Sequence, residues 1–227
     1  MTDDLRDDLR PAFDNAGPRA ETNGSSHHGG TVEWVSNARI PTIFGEFTGE
    51  VFRDLAGTEH LALHVGDVTT HDPVLTRVHS ECLTGDIIAS LRCDCGNQLH
   101  DALERIAELG RGVVVYLRGH EGRGIGIGHK IAAYGLQDEG IDTIDANIAL
   151  GLPVDDRDYA VGAAILQALG VAKIRLMTNN PDKIDRLIEH GIDVFERIES
   201  ASAPNPENAA YLRTKKLRMG HLIGDID

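Results

Sequence analysis

The sequence predicts a mixed α/β fold, in which antiparallel strands lead into alternating helices and strands within one domain. Three observations carry this. Apolar and polar residues alternate across residues 45–81, the period of two that a half-buried strand requires. After Glu81 the apolar residues recur at helical spacing, with short apolar runs between the helical stretches. Past residue 31 no repeat and no linker-like stretch interrupts the chain.

The elements follow in order. Residues 1–31 read as a disordered acidic arm, because "NAGPRAETNGSSHHGG" is rich in Gly, Ser, Asn and Pro and shows no apolar period. His27 and His28 belong to that solvated tail. Strands are expected from Val32 to Ser80, in "GEFTGEVFRD", "EHLALHVGD" and "VLTRVHSE", separated by the turn-prone "LAGT" and "TTHDP". Consecutive short strands of this kind predict an antiparallel sheet. "NQLHDALERIAELG" is a helix stopped by Gly110, "GVVVYL" a buried strand, and "GHKIAAYGLQDEG" a second helix. "DDRDYAVGAAILQALG" is a third, with Asp155 or Asp156 as N-cap and Gly170 as its stop. "KIRLMT" and "IDVFER" are strands flanking the helix of "NNPDKIDRLIEHG", which has Asn180 at N-cap, Pro181 at N1 and Gly191 at C′. A last helix is expected near residues 207–219, and residues 224–227 form a tail.

The chain has 227 residues, a net charge of −14 and 41% hydrophobic residues, enough to bury a substantial core. No run of about eighteen apolar residues is present, so no membrane span is expected. The acidic N-terminus lacks the apolar core of a secretory signal, and a cytoplasmic enzyme is the expectation. The charge balance argues against a nucleic-acid partner, which calls for a basic face. It leaves room for one anionic small molecule, because local charge can oppose the global sign.

Cys82, Cys93 and Cys95 are the only cysteines, spaced C-x10-C-x-C. An odd count and a reducing compartment disfavour a disulfide framework. Three thiolates suit zinc. Residues two apart on a helix point about 200° apart, so the C-x-C pair requires an extended or turning backbone, which Gly96 assists. His79 or His100 would close a structural site as fourth ligand. A fourth position left open to water would instead mark a catalytic zinc. The cysteines by themselves leave that choice open.

"YLRGHEGRGIGIGHK" follows a strand and opens a helix. Its glycines permit close backbone approach, and Arg118, His120, Arg123 and Lys130 add cationic donors, the makings of a polyphosphate cradle. The Walker A frame is absent. Two further polar clusters, "PVDDRDY" and "TNNPDK", lie at the ends of elements, where open α/β sheets bind ligands, although N-capping and a solvated helix surface account for either cluster alone.

Taken together, "RVHSECLTGDIIASLRCDCGNQL", "HEGRGIGIGHKIAAYGLQD", "DTIDANIALGLPVDDRDY", "LMTNNPDK" and "TKKLRMGHLI" closely resemble GTP cyclohydrolase II, from about Val32 to Ile223 and in the family order. The resemblance implies a hydrolase that opens the imidazole ring of GTP, releasing formate from C8 and pyrophosphate, at the first step of riboflavin biosynthesis. It implies one zinc ion per subunit, magnesium with the triphosphate, and a homodimer. It makes Cys82, Cys93 and Cys95 the zinc ligands. It assigns nucleotide contacts to Arg77, Val78, His79, Ser80, Glu81, Gln98, Glu121, Gly122, Arg123, Thr143, Thr178 and Lys183. Asp155 becomes the proton acceptor and Arg157 the nucleophile toward the α-phosphate, with Tyr116 and Tyr134 near the base.

Chemistry agrees with most of these roles. A carboxylate such as Glu81 can read the guanine N1–H and amino group, which are both donors. Arginine and lysine can neutralise the leaving pyrophosphate. Arg157 as a covalent nucleophile is harder to accept, because a guanidinium keeps its proton to a pKa above about 12. The loop "RGHEGR" is one residue longer than the "RQEGR" common in the family, which can shift Arg118 or bring His120 near the site. Dihydroxybutanone phosphate synthase, often fused upstream in this family, is not expected here. Two alternatives stand beside the main reading. One is a homologue that stops at the formylated pyrimidine or serves a specialised pathway. The other is a zinc-stapled nucleotide-binding module without catalysis.

Overall fold

A computed structural model describes residues 32–200 and 204–224; the expected N-terminal arm and residues 225–227 of the tail lie outside the described residues. Within them, seven strands form one sheet: β1 (Glu33–Thr42), β2 (Gly45–Arg53), β3 (Glu59–Val65), β4 (Val74–Ser80), β5 (Gly112–Leu117), β6 (Lys173–Met177) and β7 (Asp193–Ile198). Their spatial order is β1-β2-β3-β5-β4-β6-β7. The helices are α1 (Leu83–Asp86), α2 (Cys95–Leu109), α3 (Gly126–Asp138), α4 (Thr143–Ala149), α5 (Ala160–Ala168), α6 (Pro181–Glu189) and α7 (Ala209–Met219). The expected α/β class holds, and no described helix is long and apolar enough to cross a membrane.

The antiparallel expectation holds only for the first half of the sheet. β1, β2 and β3 form a meander, and β3 pairs antiparallel with β5. β4 instead runs parallel to both β5 and β6, and β6 runs parallel to β7. The sequence carried the reason. "VLTRVHS" is buried at every position but its last, the mark of a strand covered on both faces. The helix-bearing connection from β4 to β5 is long enough for a parallel crossover.

Strand alternation divides the core into two. Val113, Val115 and Leu117 of β5 join Ile165 and Leu166 of α5 and Leu187 of α6 on one face. Val114, between them, packs with Leu103 and Ile106 of α2 and with Phe47 on the other. Helix α6 begins as the sequence predicts: Asn180 Oδ1 accepts from Asp182 N, with Pro181 at the first helical position.

Among the helix starts that differ from expectation, two bear on the site. The helix predicted from Asp155 begins at Ala160, and Asp158 rather than Asp155 or Asp156 accepts from its first amide at 2.8 Å. Asp155 is engaged by Arg157, whose backbone N and Nε donate to Oδ1 at 3.1 and 2.8 Å. A side chain closing on the residue two positions on competes with helix initiation. Helix α2 begins at Cys95 rather than Asn97. Gly96 is therefore helical, and its role is close approach: a Cβ there would lie 2.3 Å from the carbonyl oxygen of Gly85 in α1. Helix α4, capped by Asp142 through the amides of Ile144 and Asp145, has no counterpart in the sequence reading.

Candidate active site

Parallel strands β4, β5 and β6 end together, and the segments that leave their C-terminal ends build the site. Arg77 and His79 project on one side of β4 and Val78 on the other, by the period-two rule. Arg77 is fully buried. It donates from Nη1 to Met177 O at 2.9 Å and from Nη2 to Gln98 Oε1 at 2.7 Å. Gln98 in turn donates to Asp94 Oδ2 at 2.6 Å. Val78 acts through its carbonyl, which accepts from Lys183 Nζ at 2.6 Å. Burial pushes the Lys183 ammonium well below its ordinary pKa, with Arg77 and Arg157 adding to the effect.

His79 Nε2 lies 3.0 Å from Asp86 Oδ1, and Tyr116 donates its hydroxyl to Asp86 Oδ2 at 2.9 Å. Asp86 Oδ2 also accepts from Cys82 N at 3.0 Å. His79 and Tyr116 thus serve to fix the turn that carries Cys82. Neither His79 nor His100, which packs on Phe44, joins the thiols.

The three sulfurs converge, their ligand atoms all within 4.8 Å of one another. Cys82 and Cys93 Sγ are 3.7 Å apart. That matches the edge of a tetrahedron with bonds of about 2.3 Å, or about 3.8 Å, so the residues fit zinc. Cys93 leaves a turn and Cys95 opens α2, which resolves the geometric demand of the C-x-C pair. Hydrogen bonds from its two neighbours, and the charge of Lys130, pull the Cys82 thiol far below its ordinary pKa. Sharing that anion raises Cys93 to about 11 and holds Cys95 well above its ordinary value.

The loop after β5 wraps over this turn. Glu81 Oε2 accepts from Gly119 N at 2.7 Å, and Ser80 Oγ lies 3.2 Å from His120 Nδ1. Gly122 and Arg123 both have left-handed backbones, with φ of 60° and 66°. Only the first is free of strain there. Arg123 O accepts from Asp156 N at 3.0 Å, which fixes the conformation, and Arg123 Nη2 is buried with no hydrogen-bond partner among the described residues. Of the four cationic donors expected here, His120, Arg123 and Lys130 line the cavity and Arg118 does not. Burial, reinforced by Arg157 and Lys183, lowers His120 to about 4, so it is neutral near pH 7.

Asp155 and Arg157 form a two-pronged ion pair, through Nε and Nη2 of the arginine. Burial would raise the Asp155 pKa, but the bond and charge of Arg157 hold it below the usual carboxylate range. Burial disfavours the Arg157 cation, yet Asp155 outweighs that and raises its pKa. Arg157 remains a guanidinium.

A cavity of about 1080 Å³, partly open to solvent, joins these parts. Its lining takes in Arg77, His79, Ser80, Glu81, Gln98, Gly122, Arg123, Thr143, Arg157, Thr178, Lys183 and the three cysteines. Val78, Glu121 and Asp155 do not line it, although each bonds to a residue that does. Lys130 and Lys215 bring the lysines and arginines of the lining to six, against the carboxylates of Glu81 and Asp94. A wall rich in lysine and arginine thus exists inside a chain of net charge −14.

Sequence reasoning missed Asp94, Asn147, Asn179, Tyr211, Lys215 and His221, which also line the cavity. Lys215 Nζ reaches Asp94 Oδ1 at 2.9 Å and lies 4.7 Å from the centre of the Tyr211 ring. "DCG" and "TKK" carry no local pattern that would join them. Tyr134 lines the cavity too, with Arg92 stacked 4.4 Å from its centroid.

Comparison with known proteins bears on this arrangement. A family model described as GTP cyclohydrolase II matches residues 33–199. A riboflavin biosynthesis protein RibBA from Salinispora arenicola is 57% identical over 193 residues, covering 85% of this chain and 46% of that protein. The bifunctional riboflavin biosynthesis protein RIBA 1, chloroplastic, of Arabidopsis thaliana is 54% identical over 194 residues, covering 85% of this chain and 36% of that protein. The chain spans about half the length, or less, of these curated relatives. A solved two domain 3,4-dihydroxy-2-butanone 4-phosphate synthase from A. baumannii is 24% identical over 65% of this chain and 34% of that one, with a TM-score of 0.38. That likeness is too low to bear on the fold.

Proposed function

Since this chain belongs to the GTP cyclohydrolase II family, we propose that it hydrolyses GTP, opening the imidazole ring with release of formate and pyrophosphate, at the first step of riboflavin biosynthesis. One observation carries the reading: three thiols meet in the wall of a cavity whose lining also takes in six lysines and arginines. A thiol cluster calls for a soft metal and a cationic wall for a polyphosphate, and GTP unites a ring to be hydrolysed with a triphosphate.

Cys82, Cys93 and Cys95 would hold the zinc ion. Zinc bound by three protein ligands supplies the Lewis acidity that makes water nucleophilic near neutral pH. Glu81, fixed through one oxygen by Gly119 N, presents its carboxylate to the donors of guanine. Arg123 offers an unpartnered buried N–H to the phosphates. Arg157 acts as a permanent cation at the α-phosphate, held in place by Asp155, rather than as a nucleophile. Asp155 accepts hydrogen bonds from that cation throughout, which is the role its lowered pKa supports. Thr143, Thr178 and Lys183 complete the phosphate side, and magnesium enters with the triphosphate. Residues 32–223 form the catalytic domain, working as a cytoplasmic homodimer; the exposed side chains of Ile87, Ile88 and Leu91 favour a covered face.

Mass spectrometry of the product tests the reading. With GTP, zinc and magnesium, formate and pyrophosphate are expected in equal amounts. Pyrophosphate without formate identifies the homologue that stops at the formylated pyrimidine. GTP bound but unchanged identifies a binding module and sinks the proposal.

A further inference from the structure

The ammonium of Lys130 has three protons to donate, and three acceptors surround it. They are Cys82 Sγ at 3.1 Å, Thr84 Oγ1 at 2.8 Å and Glu121 Oε1 at 2.6 Å. Glu121 is equally occupied. Its Oε1 also accepts from Gly122 N at 3.2 Å, and its Oε2 accepts from Leu83 N at 2.6 Å. Leu83 follows Cys82, so the two side chains grip both the thiol and the peptide beyond it. Both oxygens of Glu121 thus accept from protein donors, and Glu121 does not line the cavity, whereas its neighbours Gly122 and Arg123 do. Gly122 rests on Lys130 itself: a Cβ at that position would lie 3.1 Å from Lys130 Cβ.

We propose that Lys130 is a positioning residue that, with Glu121, ties the metal-ligating turn at Cys82 to the nucleotide loop at Gly122 and Arg123, so that metal loading and nucleotide binding are energetically coupled. The inference rests on the reading of the three thiols as a zinc site. Charge gives the coupling a direction. Three thiolates and a divalent ion leave one net negative charge beside a cavity meant for a triphosphate. The buried ammonium offsets the Glu121 carboxylate beside it, so the assembly keeps that single charge where it would otherwise carry two, and the groups around a metal's ligands set its affinity. Without Lys130, the Cys82 turn loses a donor to its sulfur and Glu121 is left as a buried carboxylate without its cation. Both the thiol and the loop then lose their fixed positions. Linkage makes the effect reciprocal: whatever zinc does for nucleotide affinity, nucleotide does for zinc affinity.

The test measures zinc affinity by competition with a chromophoric chelator, with and without α,β-methylene GTP, which cannot release pyrophosphate. The wild-type chain is expected to bind one zinc, about fivefold or more tightly when the analogue is present. Lys130→Met is expected to weaken zinc binding by about 10- to 100-fold and to bring the coupling factor close to one. Glu121→Gln should act in the same direction, and the double variant should be no weaker than Lys130→Met, as for two residues forming one unit. A wild-type chain that binds no zinc refutes the metal reading itself. A wild-type chain that binds zinc, beside a folded Lys130→Met with unchanged affinity and coupling, overturns the role of Lys130 and leaves the metal reading standing. Should Lys130→Met fail to fold by circular dichroism, Glu121→Gln decides, and unchanged coupling in that variant overturns the proposal.

Discussion

Lys215 and Asp94 form a buried ion pair at 2.9 Å across 121 positions of sequence. Asp94 sits between two of the three cysteines, and Lys215 lies in α7. The pair therefore docks the C-terminal helix on the thiol cluster. Burial disfavours the Lys215 cation, but Asp94 and Tyr211 outweigh it and raise its pKa. Lys215→Met is expected to cost about 3–5 kcal/mol, because Asp94 is left as a buried charge. Lys215→Met combined with Asp94→Asn should recover much of that. Urea denaturation gives the stabilities, and hydrogen exchange over residues 209–219 should show α7 loosened in the single variant.

Gly96→Ala tests the contact between α1 and α2. The added methyl would lie 2.3 Å from the carbonyl oxygen of Gly85, a backbone atom that cannot swing aside. Overpacking of this kind costs about 1–3 kcal/mol or more. Because Gly96 adjoins Cys95, zinc content by mass spectrometry should fall with the urea midpoint. An unchanged midpoint would show that α1 is free to move.

Arg157→Ala should lower turnover about 100- to 1000-fold, the usual cost of removing one preorganised group that stabilises developing charge. Arg157→Lys should rescue little, since an ammonium cannot reproduce the two-pronged contact with Asp155 and still face the substrate. Steady-state release of pyrophosphate and formate measures both. Turnover within a few-fold of wild type for Arg157→Ala would remove Arg157 from the reaction.

Acid should destabilise the protein through two half-buried histidines. Burial lowers His120 to about 4 and His221 to about 3, with nearby cations reinforcing both. In the unfolded chain each titrates near 6.5. Between these values the unfolded chain binds more protons, so stability rises with pH. Their contribution is whole above about pH 6.5 and is lost as pH falls toward about 4 for His120 and about 3 for His221. Urea midpoints at several pH values should show this slope, and His120→Gln should flatten it. An equal slope in that variant would assign the effect elsewhere.

Local sequence determined much of this protein. The α/β class, strands β2 to β7, the Asn180–Pro181 start of α6 and the three cysteines were legible, because periodicity, capping and ligand spacing act over a few neighbouring residues. The motifs also drew most of the cavity-lining residues into one family reading. Tertiary structure decided the rest. It made β4 parallel, because burial on both faces and a long crossover outweigh adjacency in sequence. It turned Asp155 from an expected helix cap into the partner of Arg157. It set the Lys130 ammonium, expected in the phosphate cradle, against Cys82 and Glu121, and the Glu121 carboxylate, expected at the nucleotide, against Leu83 and Lys130. It brought Lys215 to Asp94. The physical reason is common to these cases. A buried charge must find a partner wherever the fold supplies one, and which partner lies within 3 Å is settled by how helices pack on the sheet, not by the residues beside it in sequence.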